Sequence, residues 1–477
     1  LGEIVARFEI KEGPRRTDHS HDQQQEKEEA GKLQPENEPP SPFHPLDLLV
    51  VHGGKRNDTA DLRLGAGFAD RVQIDVFEVV CHGRILSKGW EALGWRPMHE
   101  TPERPSASSQ DTPLFDLVFQ RISKSPDLSI SFAEFMKEAL YHEKHGYYSH
   151  PFSRDIGRRG DFYTSVSVGS TFGFLLARAI HREWKSGFAN VSPPLIVEQG
   201  AHDGQLARDV RAGFREIDEA FAEDVVYRIL ESRPAVRGAL EKGLASCPDS
   251  ERIEIVGDIA AAGAPCGIYL CNELLDAFPF HCLLYRDGVW HERGVGRNEN
   301  GEGLAWVVRP LPPFLEDFAA ALGHDFPDGY HTEVAPAVDR WMAESANLFS
   351  EKGIWWIIDY GYERDDYYAP SRRTGTLRCY EAHRAGEDPF AAPGRQDITA
   401  HVDFTRVEEA AVRAGLRPTR FTDQHHFLIE AAGPWLLSIE GRVPDSAAAK
   451  RLRQFQTLTH PSLMGRQFKV MELRRGT

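Results

Sequence analysis

The sequence predicts an α/β fold built on a parallel sheet with helices on both faces. Two observations carry that reading. From Leu195 onward, short apolar runs alternate with helical patterns, the rhythm of strand–helix–strand units. The first such unit, Leu195-Ile-Val-Glu198-Gln-Gly200-Ala-His202-Asp203-Gly204-Gln-Leu, is an apolar run ending in an acid, then two glycines four apart, then an amphipathic pattern. That is strand, tight turn and helix. The glycines let the backbone approach a ligand, and the helix start offers free N–H groups.

The strand candidates are Leu195–Glu198, Tyr227–Glu231, Ile253–Val256, Ile268–Cys271, Leu283–Tyr285 and Ile354–Tyr360. Between about 286 and 350 a polar hairpin-like piece (Asp287-Gly288, then Asn298 to Gly303) and a helical run read as an insertion. Upstream, Ser131-Phe-Ala-Glu134 is a capping box that opens a helix at Phe132–Leu140, and a helical run covers Phe172 to Trp184. Residues 11–45 are rich in Glu, Gln, Lys and Pro, a composition that does not order itself. Residues 101–112 read as a linker. The expected organisation is a poorly defined, partly disordered extension over 1–112, an N-terminal helical subdomain over 113–190, and the sheet core over 191–477.

Composition sets bounds. The chain has 477 residues, 41% hydrophobic and 10% aromatic, ample for a large core. With 72 acids against 56 bases the net charge is -16, which argues against nucleic-acid or membrane-surface partners. The six cysteines form no CxxC pair, as in a reduced compartment. There is neither a bilayer-length apolar run nor a charged-then-apolar signal pattern, so a cytoplasmic location is expected, mitochondrial if the source is eukaryotic.

Ligands of such sheets bind beyond the carboxyl ends of the strands, so the residues there are the candidates. Position 202 is His, so the G-x-G-x-x-G dinucleotide fingerprint fails. The E-x-G-x-x-x-G turn (Glu198, Gly200, Gly204) resembles motif I of class I S-adenosylmethionine-dependent methyltransferases. Glu231 offers a carboxylate that can accept both hydroxyls of a ribose, or is a solvated acid at a helix start. Asp258 could accept from an adenine amino group, or is a turn acid. At the fourth strand, Asn272, Glu273 and Asp276 could hold a cationic acceptor such as guanidinium, which is always protonated; equally, they could be a helix cap and first-turn acids. Asp397, Thr399, His401 and Asp403 form a polar cluster that matches no metal-site spacing. His142 and His145 form HxxH rather than HExxH, and no G-x-S-x-G elbow is present.

Together, Tyr141-His-Glu-Lys-His-Gly146-Tyr-Tyr-Ser149, Gly160-Asp161-Phe-Tyr-Thr164-Ser165, the glycine turn, Asn272-Glu273-Leu-Leu-Asp276-Ala-Phe-Pro279, Ile358-Asp359-Tyr360-Gly361, Gly375-Thr-Leu-Arg378, Asp397 to Phe404 and Met464 to Val470 resemble the MidA / NDUFAF7 family of class I methyltransferases. The resemblance spans about Phe115 to Leu473. It implies a Rossmann-like seven-stranded sheet with an N-terminal helical piece and inserted and C-terminal additions. It implies S-adenosylmethionine as cofactor, bound by Gly200, Gly204 and Glu231, with Gly160, Asp161 and Thr164 closing over it; Glu198, His202 and Asp258 are the further cofactor-binding candidates. Asn272, Glu273 and Asp276 would face the acceptor, with Asp397, Thr399 and His401 lining the pocket and His401 taking part in catalysis. The implied reaction is methyl transfer to a protein arginine, with a respiratory-complex-type subunit as partner by family analogy alone. A small-molecule O- or N-methyltransferase and a non-catalytic assembly protein are the alternatives. The family turn reads G-P-G-R-G; here it is Gly200-Ala201-His202-Asp203-Gly204, so either the cofactor site is reshaped or His202 itself touches the ligand.

Overall fold

The computed structural model describes residues 112–476 apart from 150–163, 189, 249 and 382–383, together with a two-residue ladder pairing Asp61–Leu62 with Val72–Gln73. The expectations for residues 11–45 and 101–111 lie outside the described residues. The ladder belongs to a unit of its own, Leu1–Met98 with Ser438–Val443; the rest of the chain forms the second unit.

The second unit is organised by one twisted sheet. Its strands are β1 (Leu195–Gln199), β2 (Val226–Leu230), β3 (Ile253–Val256), β4 (Ala264–Asn272), β5 (Phe349–Tyr362), β6 (Arg417–Asp423) and β7 (Phe468–Arg475). They lie in the order β3-β2-β1-β4-β5-β7-β6. β1 to β5 run parallel, and β7 runs antiparallel to both β5 and β6. Leu195, Ile196 and Val197 of β1 are buried, as are Ile354 to Ile358 of β5. Strands covered on both faces read as continuous apolar runs rather than alternating ones. The strand order reverses at β1, whose neighbours are β2 and β4. That switch point opens a crevice at the carboxyl ends of β1 and β4.

Two strand readings need correction. Leu283–Tyr285 does not join the parallel sheet; His281–Arg286 lies in a separate antiparallel sheet with Val289–Arg297, Leu304–Arg309 and Tyr330–Val334. A short apolar run does not state which sheet it joins. β6 and β7 are strands that the sequence reading left out. The expected hairpin is present: Asp287 and Gly288 have φ of 54° and 79°, the pair of left-handed residues that a tight hairpin turn needs.

The N-terminal segment joins this second sheet through Ser129–Ser131, which pairs with Val289–Arg297. Its helices Pro113–Lys124 and Phe132–Tyr141 bury Leu114, Val118, Phe132, Phe135 and Met136 in a cluster with Phe280, Val295 and Ile398. The capping box forms: Glu134 N–H donates to Ser131 Oγ at 3.1 Å, and Ser131 N–H donates to Glu134 Oε2 at 2.9 Å. Ser131→Ala is therefore expected to destabilise the chain by about 1 kcal/mol, measurable as a lower urea midpoint at unchanged slope. Among the described residues, no helix is long and apolar enough to cross a membrane.

Candidate active site

At the end of β1 the chain must turn sharply into helix Gln205–Ile217. Gly200 and Gly204 take φ of 85° and 75°, values that disfavour a side chain. A Cβ on Gly200 would stand 3.1 Å from Leu274 Cδ1. His202 adopts φ of 48°, so it turns as a glycine would, at a cost of about 1–2 kcal/mol. The turn is closed by Gly204 N–H on Ala201 O at 2.7 Å and Gln205 N–H on Asp203 Oδ1 at 2.9 Å. The substitution of His for glycine has not filled the crevice: a cavity with about 1270 Å³ of empty space, open to solvent, lies there. Thr164, Glu198, Gly200, His202, Asn272 and Glu273 are among its walls.

Glu198 is buried under this turn and accepts from Tyr227 Oη at 2.7 Å. Burial raises its pKa to about 7, against the pull of the Tyr227 hydrogen bond. Glu231, just past β2, is buried and gripped by Arg233: Nε donates to Oε1 and Nη2 to Oε2, each at 2.8 Å. Arg233 N–H also donates to Oε1 at 2.9 Å, so of the about four acceptor positions an ionised carboxylate offers the one left belongs to Oε2; Glu231 itself is not among the walls of the cavity. Arg233 also donates to Tyr148 O at 3.0 Å, tying the aromatic segment after helix Phe132–Tyr141 to the end of β2. Tyr141 and Tyr148 wall the same cavity.

The turn after β4 is the most heavily constrained part of the site. Glu273 has φ of 52°, rare for a residue with a long side chain and a mark of stored strain. Its Oε1 accepts from Ser165 N–H at 3.2 Å and Asn272 Nδ2 at 2.9 Å. Asp276 accepts from Tyr360 Oη. Asp359, at the end of β5 and fully buried, holds the turn in place. Its Oδ2 accepts from the N–H groups of Leu274 at 3.1 Å, Leu275 at 2.9 Å and Asp276 at 3.4 Å, and its Oδ1 from Tyr360 N–H at 2.9 Å. Three carboxyls thus share a dry corner. Burial and the Asp276 charge raise the Glu273 pKa to about 8. Burial raises Asp276 to about 6 against the Tyr360 hydrogen bond. Burial, Asp276 and Glu273 push Asp359 well above the carboxylate range. Asp359→Ala would strand those N–H donors. It is expected to cost about 3 kcal/mol or more, at about 1–3 kcal/mol per orphaned buried group, read from urea unfolding.

The other sequence candidates fall in several places. Gly160 and Asp161 lie outside the described residues. Thr164 is buried and exchanges hydrogen bonds with Ser167. Asp258 is exposed and caps a short helix by accepting from Ala261 N–H at 2.8 Å; it is not among the walls of the cavity. Asp397 is buried and accepts from Tyr148 Oη at 2.8 Å, while Thr399 is buried beside it on the strand Asp397–Thr399. His401 stacks on Tyr362, with ring centroids 5.2 Å apart, and lines a second chamber rather than the first. Asp403 caps helix Phe404–Arg413. Among the described residues, no group of three His, Cys, Asp or Glu side chains is placed to hold a metal. Sequence reasoning gave no role to Asp359, Tyr360, Tyr148 or Arg233. An acid ending an apolar run, as at Ile358-Asp359, was the available signal for the first.

A glycine turn and a buried acid at the switch point of a mostly parallel sheet of this order form the framework of a class I S-adenosylmethionine-dependent methyltransferase. The chain belongs to the family described as "Putative S-adenosyl-L-methionine-dependent methyltransferase", whose model matches residues 175–422. It is 26% identical over 416 residues to the rat protein arginine methyltransferase NDUFAF7, mitochondrial, covering 82% of this chain and 90% of the relative. It is 26% identical over 426 residues to the Drosophila melanogaster homolog of that protein, covering 80% and 90%. Among solved structures it is similar to a superfamily member from Burkholderia thailandensis bound to S-adenosyl-homocysteine. That match has 28% identity and a TM-score of 0.68, covering 79% of this chain and 95% of the other. The chain is a methyltransferase with S-adenosylmethionine as its cofactor.

Proposed function

We propose that the chain transfers the methyl group of S-adenosylmethionine to an arginine side chain of a protein. One observation carries this reading. Asp276 is buried and Glu273 half-buried on one turn, and the hydrogen bonds given to them come from neutral donors only: Ser165 N–H, Asn272 Nδ2 and Tyr360 Oη. Two carboxyls held largely away from water without a cation of their own are costly, and a guanidinium would relieve both. The rat and fly relatives, named as protein arginine methyltransferases of mitochondria, agree with the reading.

The walls of the first cavity fit the cofactor. Gly200 leaves room where a Cβ would meet Leu274. The turn 201–204 brings backbone close to the cavity, Glu198 supplies a carboxyl at the end of β1, and Arg233, another wall residue, holds the Glu231 carboxyl at the end of β2. Thr164 and His202 complete the wall. When bound, the cofactor supplies a methyl group on a sulfonium, an electrophilic carbon. The protein's own part is to hold the acceptor nitrogen in line with that carbon and to take its proton. Glu273 and Asp276 grip the guanidinium. Asn272 Oδ1, buried with no partner among the described residues, accepts one more of its N–H groups. The released proton goes to a Glu273 carboxylate oxygen, whose raised proton affinity suits it to the task. Tyr360 keeps Asp276 in place.

The test is incubation with methyl-labelled S-adenosylmethionine and a protein extract, followed by acid hydrolysis. Labelled methylarginine is the expected product. Label confined to the small-molecule fraction would overturn the protein-arginine assignment.

A further inference from the structure

We propose that a second chamber, beside the same turn, is the seat of the acceptor's side chain and is built for an alkylguanidinium. The proposal rests on the arginine reading above. Residues of one segment divide between two spaces: Asn272, Glu273, Leu274 and Ala277 wall the first cavity, whereas Leu275, Asp276 and Phe278 wall the second. Displacement at carbon needs the nucleophile and the leaving group on opposite sides of that carbon; Glu273 in the first space and Asp276 in the second belong to the one turn between the two.

The chemistry of the chamber selects the occupant. It has about 650 Å³ of empty space, part of it open solvent. Phe318, Leu322, Val334 and Val338 give it apolar walls suited to a methylene stem. Most of its charged groups are already spent. Glu333 accepts from Thr376 N–H at 2.9 Å, Thr376 Oγ1 at 3.0 Å, Leu377 N–H at 3.3 Å and Tyr367 Oη at 3.3 Å. Arg364 forks onto Glu409 at 2.7 and 2.8 Å. Arg406 is paired with Asp339 and lies 4.2 Å over the Phe318 ring. Asp403 caps its helix. What remains without a partner among the described residues is Arg406 Nε, a donor, and two acceptors: Oδ1 of Asp276, which is 4% exposed, and Nδ1 of His401. Burial and the Arg372 and Arg378 charges lower the His401 pKa to about 4, so at neutral pH the ring is uncharged and can accept. Two unspent acceptors in the chamber call for a head group that donates to both. Guanidinium is such a group, and its five N–H donors can serve both.

The experiment uses the full chain loaded with S-adenosyl-homocysteine and titrated calorimetrically with n-propylguanidinium. Ala321→Trp, at the exposed rim, and Ala335→Leu, half-buried in the wall, narrow the chamber without touching the first cavity. Saturable binding is expected, weakened at least tenfold in both variants, with S-adenosyl-homocysteine affinity unchanged within about twofold. That unchanged affinity also shows each variant to be folded. Binding of n-propylguanidinium indifferent to both substitutions would overturn the chamber and leave the arginine reading standing. Absence of binding in the unsubstituted chain while labelled methylarginine forms would do the same. Absence of both binding and methylarginine would sink the two together. Preference for n-propylammonium would overturn the guanidinium assignment.

Discussion

Glu273→Gln is expected to lower kcat/KM for a protein acceptor at least a hundredfold while raising the melting temperature at pH 9. The two effects share one cause. A hundredfold loss corresponds to about 2.7 kcal/mol of transition-state stabilisation, reasonable for removing a charge that grips the acceptor and takes its proton. The stability effect follows from the raised pKa values. Burial moves Glu273 to about 8 and Asp276 to about 6, so between the ordinary carboxylate range and these values the folded state binds more protons than the unfolded one. Stability then falls as pH rises. The contribution is complete at acid pH and is lost as pH climbs through about 6 and then about 8. Gln carries no charge to bury and keeps an acceptor for Ser165 N–H and Asn272. The unsubstituted protein should therefore melt several degrees lower at pH 9 than at pH 6, and Glu273→Gln should flatten that slope. A variant that is inactive and also less stable at pH 9 would show that Glu273 is a structural linchpin rather than a strained functional group.

Gly200→Val is expected to abolish binding of S-adenosylmethionine. Gly200 sits at φ of 85°, and a Cβ there would meet Leu274 Cδ1 at 3.1 Å. A β-branched residue disfavours that backbone region more than most, and relieving it would move the 201–204 turn into the cavity. Leu274 belongs to the strained turn that carries Glu273, so any shift also reaches the acceptor side. Loss of the thermal stabilisation that saturating S-adenosylmethionine confers is the readout. Retained stabilisation would mean that the ligand contacts lie elsewhere.

These two positions differ in how far the sequence reveals them. Gly200 stands in a local signature: an apolar strand, an acid and two glycines within ten residues state a tight turn before any contact is known. Glu273 and Asp276 were visible as polar residues where a strand ends, but their role as cap acids or as a grip on an acceptor depended on Asp359 and Tyr360. Those partners lie 83 and 84 positions from Asp276, beyond the reach of local spacing. Tyr148 meets Asp397 across 249 positions for the same reason. Arg233 was close at hand, two residues after Glu231, yet only the fold shows that it grips both oxygens. The missed strands β6 and β7 carry Arg417, Arg420, Lys469, Glu472 and Arg474 among their apolar residues, so neither reads as a continuous apolar run. Leu283 was seen as a strand residue and assigned to the wrong sheet, because periodicity reports burial and not partner.

The most direct measurement is a crystal structure of the full chain grown with S-adenosyl-homocysteine. Density for the ligand between Gly200 and the Asn272–Glu273 turn, with its ribose on the Glu231 carboxylate, is the predicted result. Density seated in the chamber beside His401, or ligand at neither place at concentrations that stabilise the protein, would contradict it.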